Sequence, residues 1–330
     1  MTTLSAKDYQ VGWICAVHPE YVVAQELLDE EYKTPRLSIN DSNTYTCGRI
    51  EEHNVVMACL PLGSYGLTSA ASAAKDMLRS FPSIRFGLMV GIGGGVPTKE
   101  DIRLGDVVVS TPVGQRGGVM HYAFGKTIQN KTFECTGSLN APPDKLRGAL
   151  QKLRALHARN GHRIQSTIND MVRKNKRLQE GYQRPDRELD VLFQASFVHP
   201  KRGRSCNETC IQHEDRIVRR KDRAPDADDP MIHYGLVASA DQLMRNADVR
   251  DCLSETEGVL CFEMEAAGLM NQFPCVVIRG ICDYSDTHKN DDWQKYAAAT
   301  AASYAKELLA VIPGNKYANS TMLHHVSGED

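Results

Sequence analysis

Residues 275–282, Cys-Val-Val-Ile-Arg-Gly-Ile-Cys, form the most apolar stretch of the chain and end on Asp283. A run of this size is a buried strand, and so is the comparable run at 55–62; both fall far short of the ~20 apolar residues that cross a bilayer. Around them, strand-sized and helix-sized patterns alternate. Strands are expected at 11–17, 85–90, 105–110, 234–238 and 259–262, with a hairpin made by 44–50 and 55–60. Helical spacing covers 21–28, 68–79, 143–159, 163–178, 245–253, 263–271 and 293–312. Short buried strands alternating with helices predict a three-layer α/β domain. Residues 1–312 then make one domain, interrupted by a long polar stretch at 181–230, and residues 313–330 read as a flexible tail.

Composition narrows the class. With 330 residues and 42% hydrophobic content the chain can bury a large core. A net charge of -2 argues against an electrostatic nucleic-acid binder. The N-terminus is polar and lacks a secretory core. Of the ten cysteines, Cys15, Cys59, Cys261, Cys275 and Cys282 fall inside apolar runs, as small buried hydrophobes of a reducing compartment do. The expectation is a cytoplasmic enzyme with no nucleic-acid or membrane partner.

Six features carry candidate chemistry. Gly91-Ile-Gly-Gly-Gly95 follows a buried strand and lets the backbone approach either a ligand or a neighbouring strand. Val96-Pro97 follows it, so it is neither a dinucleotide fingerprint nor a P-loop. Glu263-Met-Glu265 places two acids at a helix start, suited to the dipole, yet also at a strand end where α/β sheets bind ligands. Asp283 and Glu20 each end a strand, and each is either a helix-start acid or a site residue. In the polar stretch, Cys206 and Cys210 with His199 and His213 have the spacing His-x6-Cys-x3-Cys-x2-His, which fits no common zinc module; no metal is assigned. The basic cluster there, with Arg216, Arg219, Arg220 and Arg223, reads as a solvated loop or as a grip for phosphate groups.

Together these pieces resemble the nucleoside phosphorylase-I family of purine and uridine phosphorylases and methylthioadenosine/adenosylhomocysteine nucleosidases. The motifs that carry the resemblance are Phe262-Glu-Met-Glu-Ala266, Val277-Ile-Arg-Gly-Ile-Cys-Asp283, and Val90-Gly-Ile-Gly-Gly-Gly95 followed by Leu104-Gly-Asp-Val-Val-Val-Ser110. The middle stretch looks like a fungal-type subgroup, in which related domains cleave ATP to adenine and ribose triphosphate. The resemblance implies a three-layer sandwich around a mixed central sheet, no cofactor, and a homo-oligomer. It implies Asp283 as the acid that protonates the purine, Glu265 and Met264 (with Glu263 beside them) at the sugar, and Gly91, Ile92 and Gly93 under the ribose. Gln242, Leu243 and Met244 are implied at the base.

Where phosphorylases of the bacterial type hold phosphate, this chain has Glu20, Met89 and Ile92. A dianion beside a carboxylate and two apolar side chains is repelled and under-bonded. The nucleosidases place a glutamate where Glu20 falls, as general base for water. The expectation is therefore hydrolysis of a purine nucleoside or nucleotide, ATP included. The alternatives are a purine nucleoside phosphorylase and a non-catalytic nucleoside-sensing or scaffold domain. Asp283 is expected to hold a proton through burial while Glu20 stays ionised.

Overall fold

The computed structural model describes residues 3–129, 134–200, 204–224, 227–289 and 291–314. Twelve strands are found among them: β1 Val11–Cys15, β2 Glu30–Tyr32, β3 Tyr45–Ile50, β4 His53–Cys59, β5 Phe86–Gly95, β6 Val107–Ser110, β7 Val119–His121, β8 Gly125–Lys126, β9 Glu134–Cys135, β10 Ile232–Ser239, β11 Val259–Glu263 and β12 Cys275–Asp283. The helices are α1 His18–Glu26, α2 Leu67–Ser80, α3 Asp144–Asn160, α4 Ile164–Lys174, the single turns α5 Gln179–Tyr182 and α6 Cys206–Thr209, then α7 Ala247–Glu257 and α8 Gln294–Val311. None of the described helices is long and apolar enough to cross a membrane.

The central sheet is mixed, in the order β11-β10-β6-β12-β5-β1-β4-β3-β2. The expected hairpin is β3–β4, antiparallel, with Tyr45 opposite Ala58 and Ile50 opposite His53. Strand β12 runs parallel to β5 and antiparallel to β6, and every residue of β12 is buried. Its near-continuous apolar character follows, because both faces are covered. On one face Gly12 and Gly87 leave room for Met77 of α2 and for Phe273; on the other Gly280 lets the backbone of α8 approach. Gly280 lies five residues from Cys275, the partner of Gly87, so alternation puts the two contacts on opposite faces. That gives three layers: α2 on one side, and α8 with α1, α3 and α4 packed beside it on the other.

Two expectations change. The strand expected to end at residue 90 runs on through the glycines, so that 91–95 belong to β5. The strand pairs β1 along its first part and β12 from Gly87 to Gly94, and its end, Gly94 and Gly95, pairs antiparallel with Phe262 and Cys261 of β11. The sheet thereby closes on itself through β5. The helix expected over 263–271 is absent: β11 continues through Glu263, and only a 3-10 turn, Ala266–Gly268, follows. Gly268 lies against the backbone of Leu67, Pro274 disfavours helical geometry at Phe273, and the Glu263 carboxylate takes the N–H groups of Glu265 and Ala266.

Candidate active site

Glu20 lies in the first turn of α1, where the helix-start reading puts it. Pro19 suits the first turn of a helix, and Glu20 folds back so that its Oε2 accepts from the backbone N–H of Ala16 (2.6 Å) and Val17 (3.1 Å). Its other oxygen, Oε1, accepts from the N–H of Ile92 on β5 at 2.8 Å. The side chain is fixed by three backbone donors and lines a cavity of about 570 Å³. Gly91 has no room for a side chain, because the Glu20 carboxylate and the Arg279 guanidinium stand over it. Gly93 is similarly closed by Cys261 and the carbonyl of Phe262.

Arg279, fully buried on β12, lies behind the cavity wall as the common partner of three lining acids. Its guanidinium bonds the Glu263 carboxylate, lies 3.3 Å from Glu265 Oε2 and 4.0 Å from Glu20 Oε1. One cation thus serves three carboxylates. Burial pushes the Glu20 carboxyl above the usual glutamate range, against the pull of Arg279 and of the three backbone N–H groups. Burial, opposed by Arg279 and reinforced by the charges of Glu263 and Glu20, pushes Glu265 up to about 7. The roles of the two motif acids differ in the structure. Glu263 is committed to Arg279 and to two backbone N–H groups, whereas Glu265 carries only Arg279 and a 3.4 Å contact from the Gly66 N–H.

At the far end of the glycine run, Asp283 is buried where β12 stops. Its Oδ1 accepts from the N–H of Ser285 at 2.9 Å, and Gly94 is held side-chain-free by Asp283 and Ser285. Ser285 itself has φ of 55°, a left-handed conformation costly for a residue with a side chain. Lys289 Nζ stands 2.6 Å from Asp283 Oδ2. Burial lowers the lysine's proton affinity, but the Asp283 charge outweighs it and holds the ammonium above the usual lysine range. An ammonium thus stands beside Asp283, a contact that the sequence pattern did not announce.

The segment after β10 forms the remaining wall. Met244 is buried against Tyr122 and Phe262, while Gln242 and Leu243 are exposed at the rim. Tyr122 donates to the Gln242 carbonyl (3.0 Å), and Asp241 accepts from the N–H of Leu67 where α2 begins (2.7 Å). The cavity therefore gathers Glu20, Ile92, Gly93, Gln242, Leu243, Met244, Glu263, Met264, Glu265 and Asp283. The sequence motifs assign no role to Arg279 or Lys289, nor to Tyr65 and Phe262 on the lining. An arginine inside an otherwise apolar strand was the signal available for Arg279; Lys289 lies on a loop and offered none.

The basic cluster is placed elsewhere. Arg220 bonds Asp190 (2.9 Å) and the Tyr284 hydroxyl (2.8 Å). Arg223 pairs with the buried Asp106 and lies 3.5 Å from Asp229. Arg216 pairs with its neighbour Asp215, and Arg219 is exposed. All four lie outside the cavity lining, which corrects the expectation of a phosphate grip: acids on the body of the domain take up Arg220 and Arg223.

The fold, a mixed sheet closed through β5 between helical layers, is similar to that of solved structures. The futalosine hydrolase of Helicobacter pylori superposes with a TM-score of 0.56 at 15% identity, covering 92% of this chain and 99% of that one. The 5'-methylthioadenosine/S-adenosylhomocysteine nucleosidase of Neisseria meningitidis, in complex with methylthio-immucillin-A, gives 0.55 at 17% identity, over 91% and 98%. The chain belongs to the phosphorylase superfamily, whose family model matches residues 10–312. A nucleotide-binding leucine-rich repeat (NLR)-like protein of Hyaloscypha variabilis is 44% identical over 315 residues, 94% of this chain but 30% of that protein. The 5'-methylthioadenosine/S-adenosylhomocysteine nucleosidase of Mycobacterium bovis is 28% identical over 89 residues, 26% of this chain and 35% of the enzyme. The chain thus spans about a third of the length of these curated relatives.

Proposed function

We propose that this domain hydrolyses the N-glycosidic bond of purine nucleosides or nucleotides. The observation that carries the reading is that Glu20 and Asp283 line one cavity, held at opposite ends of the β5 glycine run. Glu20 meets Gly91 and Ile92, and Asp283 pairs with Gly94, roughly 10 Å along the strand at ~3.3 Å per residue. In this reading Asp283 delivers a proton to the departing base, and Lys289 balances the carboxylate left behind. Glu20 takes a proton from water on the other side of the sugar, the division of labour of an inverting glycosidase. Glu265 accepts the sugar hydroxyls, Met264 and Gly93 pack against the ring, and Met244 with Phe262 faces the base. Acid assistance of this type is worth ~10²–10⁴-fold.

Hydrolysis is favoured over phosphorolysis because the cations at the cavity, Arg279 and Lys289, are both paired with carboxylates, and Glu20 stands where an attacking phosphate would need a cation. A triphosphate tail gains no support from Arg220 or Arg223, so nucleosides head the substrate panel and ATP is its second arm. Adenosine, inosine, 5'-methylthioadenosine and ATP are incubated with and without phosphate and the products separated by chromatography. Free base with free sugar, or with ribose triphosphate from ATP, in phosphate-free buffer is the expected result. Base release that requires phosphate and yields a sugar 1-phosphate overturns it.

A further inference from the structure

The polar stretch brings together three side chains whose spacing fitted no zinc module. The ligand atoms of His199, Cys206 and Cys210 all lie within 4.8 Å of one another. Cys206 and Cys210 bracket the single turn α6, whose closing bond runs from the Cys210 N–H to the Cys206 carbonyl at 2.8 Å. His213, the fourth residue of the sequence pattern, is exposed with its ring against Phe197, and falls outside this group. The fourth donor comes from 82 residues beyond Cys206: His288 Nδ1 lies 3.7 Å from Cys206 Sγ.

Two features of His288 point to a ligand. Its Nε2 lies 2.9 Å from the carbonyl oxygen of Phe197. A carbonyl only accepts, so Nε2 carries the hydrogen, and Nδ1 presents a bare lone pair to the thiols. Metal-bound histidines are oriented in this way, the second nitrogen donating to a backbone carbonyl. The ring is also held: it is buried, stacked on Phe193 at 4.1 Å, and its backbone N–H bonds Asp286 Oδ1 at 2.8 Å. His199 is drawn in by its own backbone N–H, 2.9 Å from Thr287 Oγ1. Bond lengths of about 2.3 Å to thiolate and about 2.0 Å to imidazole put the corners of a tetrahedron roughly 3.5 Å apart, close to the Cys206–His288 separation.

We propose that His199, Cys206, Cys210 and His288 form a structural zinc site that fastens the polar stretch to the loop after β12. Two thiolates and two imidazoles are a donor set suited to tetrahedral Zn2+, and four protein ligands leave no open position for catalysis. Binding releases the thiol protons to solvent and changes no oxidation state. The neighbour of His288 is Lys289, the partner of Asp283, so the metal anchors the loop that supplies the cavity's ammonium.

The full chain, purified without chelators from zinc-replete medium, is measured for metal by mass spectrometry. About one zinc per chain is expected, retained through gel filtration. Cys206→Ser and Cys210→Ser lower that content at least about tenfold and His288→Ala weakens retention about 10–100-fold, while His213→Ala leaves it unchanged. If the cysteine variants fail to fold, Co2+ exchanged into the parent protein decides: a sulfur-to-cobalt charge-transfer band with the visible bands of a tetrahedral ion supports the site. A parent chain without stoichiometric metal and without that spectrum, or a Cys206–Cys210 disulfide in the peptide map, overturns it. Loss of zinc in His213→Ala with full retention in His288→Ala overturns the ligand assignment.

Discussion

Two buried charge clusters sit in this domain with opposite balances. Around Arg279 one cation meets three buried acids, Glu20, Glu263 and Glu265, whereas the buried Asp106 meets two cations, Arg223 and His233, whose further partners Asp229 and Glu100 are less buried. Burial acts the same way on the carboxylates of both. In the first cluster it prevails, and Glu20 and Glu265 are held above the usual glutamate range. In the second it is outweighed by His233 and Arg223, and Asp106 is held below the usual aspartate range. His233 responds in kind: burial lowers its proton affinity, but the bonds to Asp106 and Glu100 prevail and carry it up to about 9. The stoichiometry of charge, rather than depth, sets the direction. An acid surplus belongs to a site that must exchange protons, and a neutralised acid to one that must only hold.

The comparison breaks most visibly if the wrong cluster controls turnover. Asp283→Asn and Glu20→Gln are expected to lower base release by ~10²–10⁴-fold, with the circular dichroism spectrum retained. A variant as active as the parent removes that residue from the mechanism. Asp106→Asn is expected to do the reverse, destabilising by ~3–5 kcal/mol in chemical denaturation because Arg223 and His233 are left buried without their partner, while the folded fraction keeps its turnover rate.

Acidity sharpens the contrast. The folded-state value of His233 is raised, so its contribution to stability is complete below the unfolded value of about 6.5 and is lost as pH rises through about 9. Denaturation midpoints should fall across that window, by up to roughly 3 kcal/mol in stability, and His233→Gln should flatten the slope. For the other cluster the readout is rate. Glu20 must be ionised to act as a base, so activity should fall on acidification with a midpoint above the ordinary glutamate value of about 4.3. A midpoint at or below that value would contradict the effect of burial. The smallest expected change is at Arg219: its replacement by Ala should leave stability within ~0.5 kcal/mol and the ratio of KM values for ATP and adenosine unaltered.

The layered architecture was legible because the runs at 55–62 and 275–282 are too apolar to be anything but covered strands. The cavity residues were legible for a different reason: Glu263, Glu265 and Asp283 sit in short motifs, and motifs are local. What escaped was long-range. The run 263–271 looks helical by period, but Gly268 against Leu67 and the brevity of the link to β12 override it. The closure of β5 on β11 depends on pairing Gly94 with Phe262, which no window of sequence contains. Arg220 and Arg223 looked free because their partners, Asp190 and Asp106, are 30 and 117 residues away.

That closure also governs how a substrate can enter. One strand, β5, is hydrogen-bonded to β1, β12 and β11, so the cavity floor is a single braced piece with no seam along which its two sides could swing apart. Traffic in and out must be handled at the mouth, where Tyr65, Gln242 and Leu243 stand exposed on the turns before α2 and after β10. Under the proposed function, gating is then expected at these few rim residues, with Glu20 and Asp283 held against the braced strand below.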